Sequence, residues 1–241
     1  ISAVLSVGAA DSATLAGVAS RNFFGNIFGL ERYIPYGVRV QSALIRTYHH
    51  KTVAMSTLAN FVKHMNIRRK YLENIERVAD ELLMNALYDA PLVASQLGMA
   101  GAEDAEVGSD QLVMQYASDG EVFALGITDY YGAMQRETLI EAVSRCLTSA
   151  KPINQPEAGS GAGLGLYLVS NSVSQLIFNV SPGVATEVIA LFNLKAPKIR
   201  LTHLSFSTEN ADASRIPTLA AGRSRSASPT AINGNRGGTP L

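Results

Sequence analysis

The chain has 241 residues, with 20 basic and 20 acidic side chains and a formal net charge of zero, so it lacks the cationic excess usual in nucleic-acid binders. Its single cysteine, Cys146, excludes an internal disulfide framework and fits a reducing, cytoplasmic setting. No apolar run approaches the roughly 20 residues that a membrane span needs. The opening ISAVLSVGAA is apolar but short and lacks the basic leader of a signal peptide. A start at Ile1 fits either processing or a longer parent protein.

In chain order, residues 1–40 show no clean period and read as an N-terminal extension packed on the main domain. A helix is expected near Ser12–Asn22, followed by an irregular, aromatic and glycine-containing segment. VRVQSALI, near 38–45, reads as an edge strand. Leu58, Phe61, Val62 and Met65 then fit one helical face. In the next helix Leu72, Ile75, Ala79, Leu82 and Ala86 draw an apolar stripe, which Pro91 is expected to end.

QLVMQYAS and EVFALGIT flank Asp119-Gly120, a turn pair between two apolar runs that predicts a hairpin. RETLIEAVSRCL predicts a helix with Leu139, Val143 and Cys146 aligned, which makes Cys146 a core thiol. SAKPINQPEAGSGAG reads as a loop. A helix from about 163 to 176 stacks Leu166, Val169 and Val173. LIFNVSPG and ATEVIALFNL predict a second strand pair, and KIRLTHLSFS a further strand. From about Thr208 the chain has few large apolar residues, so 209–241 reads as a disordered tail with an RSRSASP stretch. This order argues against regular βαβ alternation. It predicts an α/β (α+β) two-layer sandwich, with helices on one face of a mixed, mostly antiparallel sheet.

Three motifs carry candidate chemistry. Glu81 and Asn85 are four apart on a predicted helix and so share a face. An Asn oxygen suits Mg²⁺, and a carboxylate one turn away suits a general base. The same pair is also compatible with a polar flank of a core helix. Asp129 ends the apolar run VFALGIT, and a carboxylate buried there needs a partner, such as an adenine amine. Gly132 follows, where a missing side chain allows close backbone approach. In the run GSGAGLGL, Gly159, Gly161, Gly163 and Gly165 precede or open a helix, and helix N-termini with glycines bind phosphate. A P-loop is excluded, because no lysine follows Gly163 or Gly165. A dinucleotide fingerprint is excluded because a Pro-containing loop, not a strand, precedes the run. Thr186 begins a strand, where its hydroxyl can support Asp129 through a water. His49, His50, His64 and His203 have no zinc-ligand spacing.

Taken in order, these residues resemble the GHKL superfamily of ATP-binding domains, which includes gyrase, heat-shock chaperone, histidine kinase and mismatch-repair ATPases. Glu81 and Asn85 match its N box. Asp129 and Gly132 match part of its first glycine box, with Tyr131 and Ala133 where glycines are usual. Gly161, Gly163, Gly165 and Leu166 match the second, and Thr186 stands where a Gly-Thr pair is common. The resemblance spans about residues 45–195 and is nearest the anti-sigma-factor serine kinases.

That resemblance implies a histidine kinase-like ATP-binding domain over 41–208 that takes ATP and Mg²⁺. Glu81 is then the catalytic base, Asn85 the Mg²⁺ ligand, and Asp129 the adenine contact. Gly132, Gly161, Gly163, Gly165, Leu166 and Thr186 complete the nucleotide site. The implied partner is a protein, either an anti-anti-sigma-like substrate or a sigma-factor-like target, with neither nucleic acid nor membrane expected. A homodimer is compatible with this reading. Two other readings use the same fold: a partner-binding signalling module without chemistry, and the output domain of a longer two-component regulator.

Overall fold

The computed structural model describes residues 3–5, 27–98, 112–140, 161–210 and 216. The expected helix at Ser12–Asn22, Val143 and Cys146, the Pro-containing loop up to residue 160 and the RSRSASP stretch lie outside these residues. The fold is α+β: a mixed sheet with helices packed on it.

Regular structure begins with strand β1 (Ala3–Leu5) and strand β2 (Gln41–Ile45). Helix α1 (Tyr48–His64) follows, capped where Thr47 Oγ1 accepts from the His50 N–H at 3.2 Å. Its residues Ala54, Leu58 and Val62 recur every four positions and are buried together. Asn66, at φ 52°, makes the left-handed turn that Asn tolerates among L-residues. Helix α2 (Arg69–Met84) then buries Ile75, Ala79 and Leu82 as expected.

Pro91 does not end that helix as expected. The α-helix gives way at Asn85 to a π-helical turn, Asn85–Asp89, and helix α3 (Ala90–Gln96) continues with Pro91 in its first turn. Proline lacks an N–H but is accommodated in a first turn, where that N–H has no intrahelical partner to lose. The wide turn absorbs the break in the hydrogen-bond ladder just ahead of it.

Strands β3 (Leu112–Ser118) and β4 (Val122–Asp129) form the expected hairpin. Its turn is fixed by Gly120 at φ 89° and by Asp119 Oδ1, which accepts from the N–H groups of Glu121 and Val122 at 2.8 and 2.7 Å. Residues 136–140 are helical. Helix α4 (Gly161–Ser170) is shorter than the predicted 163–176. The hydroxyls of Ser170 and Ser172 donate to the Tyr167 and Leu168 carbonyls, which satisfies the last turn and ends the helix before Val173.

Strands β5 (Gln175–Ser181), β6 (Ala185–Asn193) and β7 (His203–Thr208) complete a seven-stranded sheet ordered β1-β7-β5-β6-β4-β3-β2. All neighbours are antiparallel except β5 and β7. β2 is an edge strand, as predicted. The N-terminal extension does more than pack on the domain, because Ala3–Leu5 forms the other edge against β7.

Phe123, Leu125 and Ile127 on β4, with Val188, Ala190 and Phe192 on β6, face the helices in the main core. Their alternates, Ala124, Ile189 and Leu191, face the opposite way and are covered by Leu30, Tyr33 and Ile34. Burial on both faces explains why β4 reads as a continuous apolar run rather than an alternating one. A carboxylate anchors this cover: Glu187, fully buried, accepts from the Gly29 N–H at 3.0 Å and from Asn179 Nδ2 at 2.8 Å. The predicted tail boundary at 208 is too early. Glu209 accepts from the Ile27 N–H at 2.9 Å, and Ile216 is buried with Ile27, Phe28 and Ala185.

Candidate functional site

A cleft of about 360 Å³ opens between α2, the π-turn and α3 on one side and the ends of β4 and β6 on the other. That volume lies within the roughly 300–1,000 Å³ of small-molecule sites. The cleft is mainly apolar. Asn85, Asp89, Asp129 and Thr186 are among its polar groups, with Leu166 and Ala133 on its walls.

Asp129 ends β4 and pairs with Thr186 across the antiparallel ladder, so both project into the cleft. Asp129 finds its partners in the backbone: Oδ1 accepts from the Tyr131 N–H at 3.0 Å, and the N–H groups of Gly132 and Thr186 also bond the carboxyl. Burial nonetheless pushes its pKa up to about 7, against the pull of those bonds. A carboxylate offers about four acceptor positions, so these bonds leave capacity for a ligand. Thr186 is only 3% exposed, and its Oγ1 has no hydrogen-bond partner among the described residues. A buried hydroxyl without a partner costs about 1–3 kcal/mol, which a water or a bound polar group recovers.

Gly132 serves the frame rather than the cleft wall. It sits at φ 62°, and a Cβ there would collide with the Ser181 carbonyl and approach the Val184 nitrogen at 2.6 Å. Its own carbonyl accepts from the Gly183 N–H at 3.3 Å. Gly132→Ala is therefore expected to lose roughly 2–4 kcal/mol of stability from the φ penalty and overpacking together. A urea denaturation midpoint close to that of the wild type would contradict this. Ala133 takes a place on the cleft wall, and the Tyr131 side chain is not among the lining groups.

Glu81 and Asn85 part company. Asn85 lines the cleft, whereas the Glu81 carboxylate lies against Gly165 of α4, and a Cβ on Gly165 would overlap it. Gly161, Gly163 and Gly165 all lie within the helix rather than ahead of it. Glycine in a helix interior costs about 1 kcal/mol relative to alanine, so the run is not there for helix stability. At Gly165 the reason is room for Glu81. The Glu81 pKa is raised, first by burial and then by Asp80 and Asp89, with Lys51 opposing.

Two groups escaped the sequence reading. Asp89 lines the cleft one turn beyond Asn85, and burial raises its pKa. Its place in the series 81, 85, 89 was the available signal. Lys51 of α1 is buried and holds Asp80 at 2.6 Å, which brings a cation close enough to act on Glu81. No local pattern signals that contact between two helices. Among the described residues, no group of three or more His, Cys, Asp or Glu side chains could hold a metal, and no helix is long and apolar enough to cross a membrane. No known family model and no curated protein matches the chain.

Proposed function

We propose that this chain is a cytoplasmic ATP-binding signalling protein of the GHKL type, acting as an anti-sigma-factor-type serine/threonine protein kinase on a protein partner. The observation that carries this reading is the cross-strand pair on the cleft floor: a buried Asp129 beside a Thr186 hydroxyl that has no hydrogen-bond partner among the described residues. The pair suits an adenine amine on the carboxylate and a water on the hydroxyl. Apolar walls such as Ile127 and Phe178 suit a flat ring. Asn85 and Asp89, both lining the cleft, would supply oxygen ligands to Mg²⁺, which keeps several waters.

Bound Mg-ATP supplies the transferable phosphoryl group and neutralises part of its charge. The chain's own part is to orient and to accept a proton. Asp129 and Thr186 would fix the base, and backbone N–H groups at the start of α4, near Gly161 and Gly163, would bind the phosphates. The Glu81 carboxylate takes the proton from a partner serine as its oxygen bonds to phosphorus and ADP leaves. A raised pKa brings Glu81 nearer the working range of a general base.

One observation favours the second reading, a partner-binding module without chemistry, standing alone or as the output of a longer regulator. Glu81 packs against Gly165 rather than opening into the cleft. Calorimetry of Mg-ATP binding tests the site common to both. The wild type is expected to bind, and Asp129→Asn to bind about tenfold more weakly or less, the scale of one charged hydrogen bond. No binding by folded wild type at millimolar ATP would sink the kinase reading.

A further inference from the structure

We propose that the end of the domain opposite the cleft is a docking surface for an acidic segment of a partner protein. β4 runs from the β3–β4 turn to Asp129, a distance of about 23 Å at the usual rise per residue. α2 runs alongside from Arg69 to the cleft residue Asn85, about 24 Å by helical rise. The two lengths agree, so the start of α2, the β3–β4 turn and the end of β6 all lie at the far end. Two hydrogen bonds tie them together. The Tyr71 hydroxyl donates to the Ala196 carbonyl at 2.7 Å, and the Leu194 N–H donates to the Glu121 carbonyl at 2.8 Å.

This end gathers cations from separate segments. Lys63 lies in the last turn of α1, Arg68, Arg69 and Lys70 open α2, and Lys195, Lys198 and Arg200 follow β6; all are exposed. Most have no counter-charge among the described residues. The salt bridge found here joins Arg69 to Glu73 at 2.7 Å. The start of α2 has no acidic residue in its first turn and no side-chain cap. Cations at a helix N-terminus oppose the helix dipole, so folding alone does not favour this arrangement. A local rule broken without a compensating gain marks a surface selected for something else, and an anion relieves the repulsion.

The sign pattern selects the partner class. Glu73, Asp119 and Glu121 are exposed among the cations. A uniform polyanion such as duplex DNA meets those carboxylates as repulsion, whereas a protein segment of mixed but mainly acidic character matches them. The chain as a whole is neutral, so no general field draws in nucleic acid. None of these cations lines the cleft, so the surface is separate from it.

The test is fluorescence anisotropy with a fluorescein-labelled peptide rich in glutamate with a few interspersed lysines and, in parallel, a labelled DNA duplex. The wild type is expected to bind the peptide at low salt and to release it as salt rises. Arg68→Glu with Lys70→Glu should weaken binding about tenfold, and so should Lys195→Glu with Lys198→Glu, which leaves α2 untouched. Arg46→Glu with Arg136→Glu, exposed charges at the cleft end, should have little effect. The proposal is overturned by absent peptide binding, by far-end variants that bind normally, by equal loss in the cleft-end variant, or by tighter binding of the duplex than of the peptide.

Discussion

Glu81→Gln should lower ATP consumption by about 10²–10⁴-fold while leaving Mg-ATP affinity within about threefold of wild type, as expected for loss of a general base outside the binding contacts. Glutamine matches glutamate in shape and cannot accept the proton. The separation of the two effects follows from geometry. Asp129, Thr186 and Asn85 line the cleft, whereas Glu81 stands beside it against Gly165. Gly165→Ala provides the positional counterpart. The new methyl meets the Glu81 carboxylate, the far end of a flexible side chain, so the carboxylate swings away and the fold survives. Turnover should then fall at least about tenfold, since small misplacements of a reacting group cost that much or more. Normal turnover in Glu81→Gln would leave a partner-binding module as the better reading. Normal turnover in Gly165→Ala alone would mean only that Glu81 tolerates displacement.

Stability should fall as pH rises from about 4 to about 8, by an amount on the order of a few kcal/mol. Asp129 and Glu187 are both buried, and burial raises each pKa to about 7 from ordinary values of 3.8 and 4.5. Between the unfolded and folded values the native state holds protons that the unfolded chain has released. Protonation therefore stabilises fully below about pH 4, and the gain is lost as pH passes through 7. Glu81 and Asp89, whose pKa values are also raised by burial, add with the same sign. Urea midpoints should thus be higher at pH 5 than at pH 8. Asp129→Asn and Glu187→Gln should each flatten the profile. A midpoint that is level or rises across this range would show that these carboxylates are ionised in the folded protein without penalty.

The two carboxylates differ in how visible they were. Asp129 stood out because it closes an apolar run, and such a residue is either a cap or a site. Glu187 is a lone acidic residue within the apolar run ATEVIALFNL, and such residues are mostly exposed. It is instead buried on the outer face, because residues 27–34 fold over that face and Gly29 and Asn179 bond the carboxylate. The contact with Gly29 spans 158 positions, beyond the reach of any local pattern.

Local chemistry determined much of this protein. Side-chain periods located α1, α2 and the β-strands from 112 onward, and Asp119-Gly120 located the hairpin, because those signals depend on neighbours within a few residues. The candidate residues Asn85, Asp129, Leu166 and Thr186 could be named from short motifs taken in order together with a family resemblance. Only the tertiary structure decided that these four share one cleft while Glu81 turns to α4. It alone decided that Gly132 is demanded by the β5–β6 turn, and that Pro91 opens a helix instead of closing one. It also assembled the cations of α1, α2 and residues 195–200 at one end. Each of these depends on which distant surfaces meet, and that is set by the packing of both sheet faces rather than by any stretch of chain.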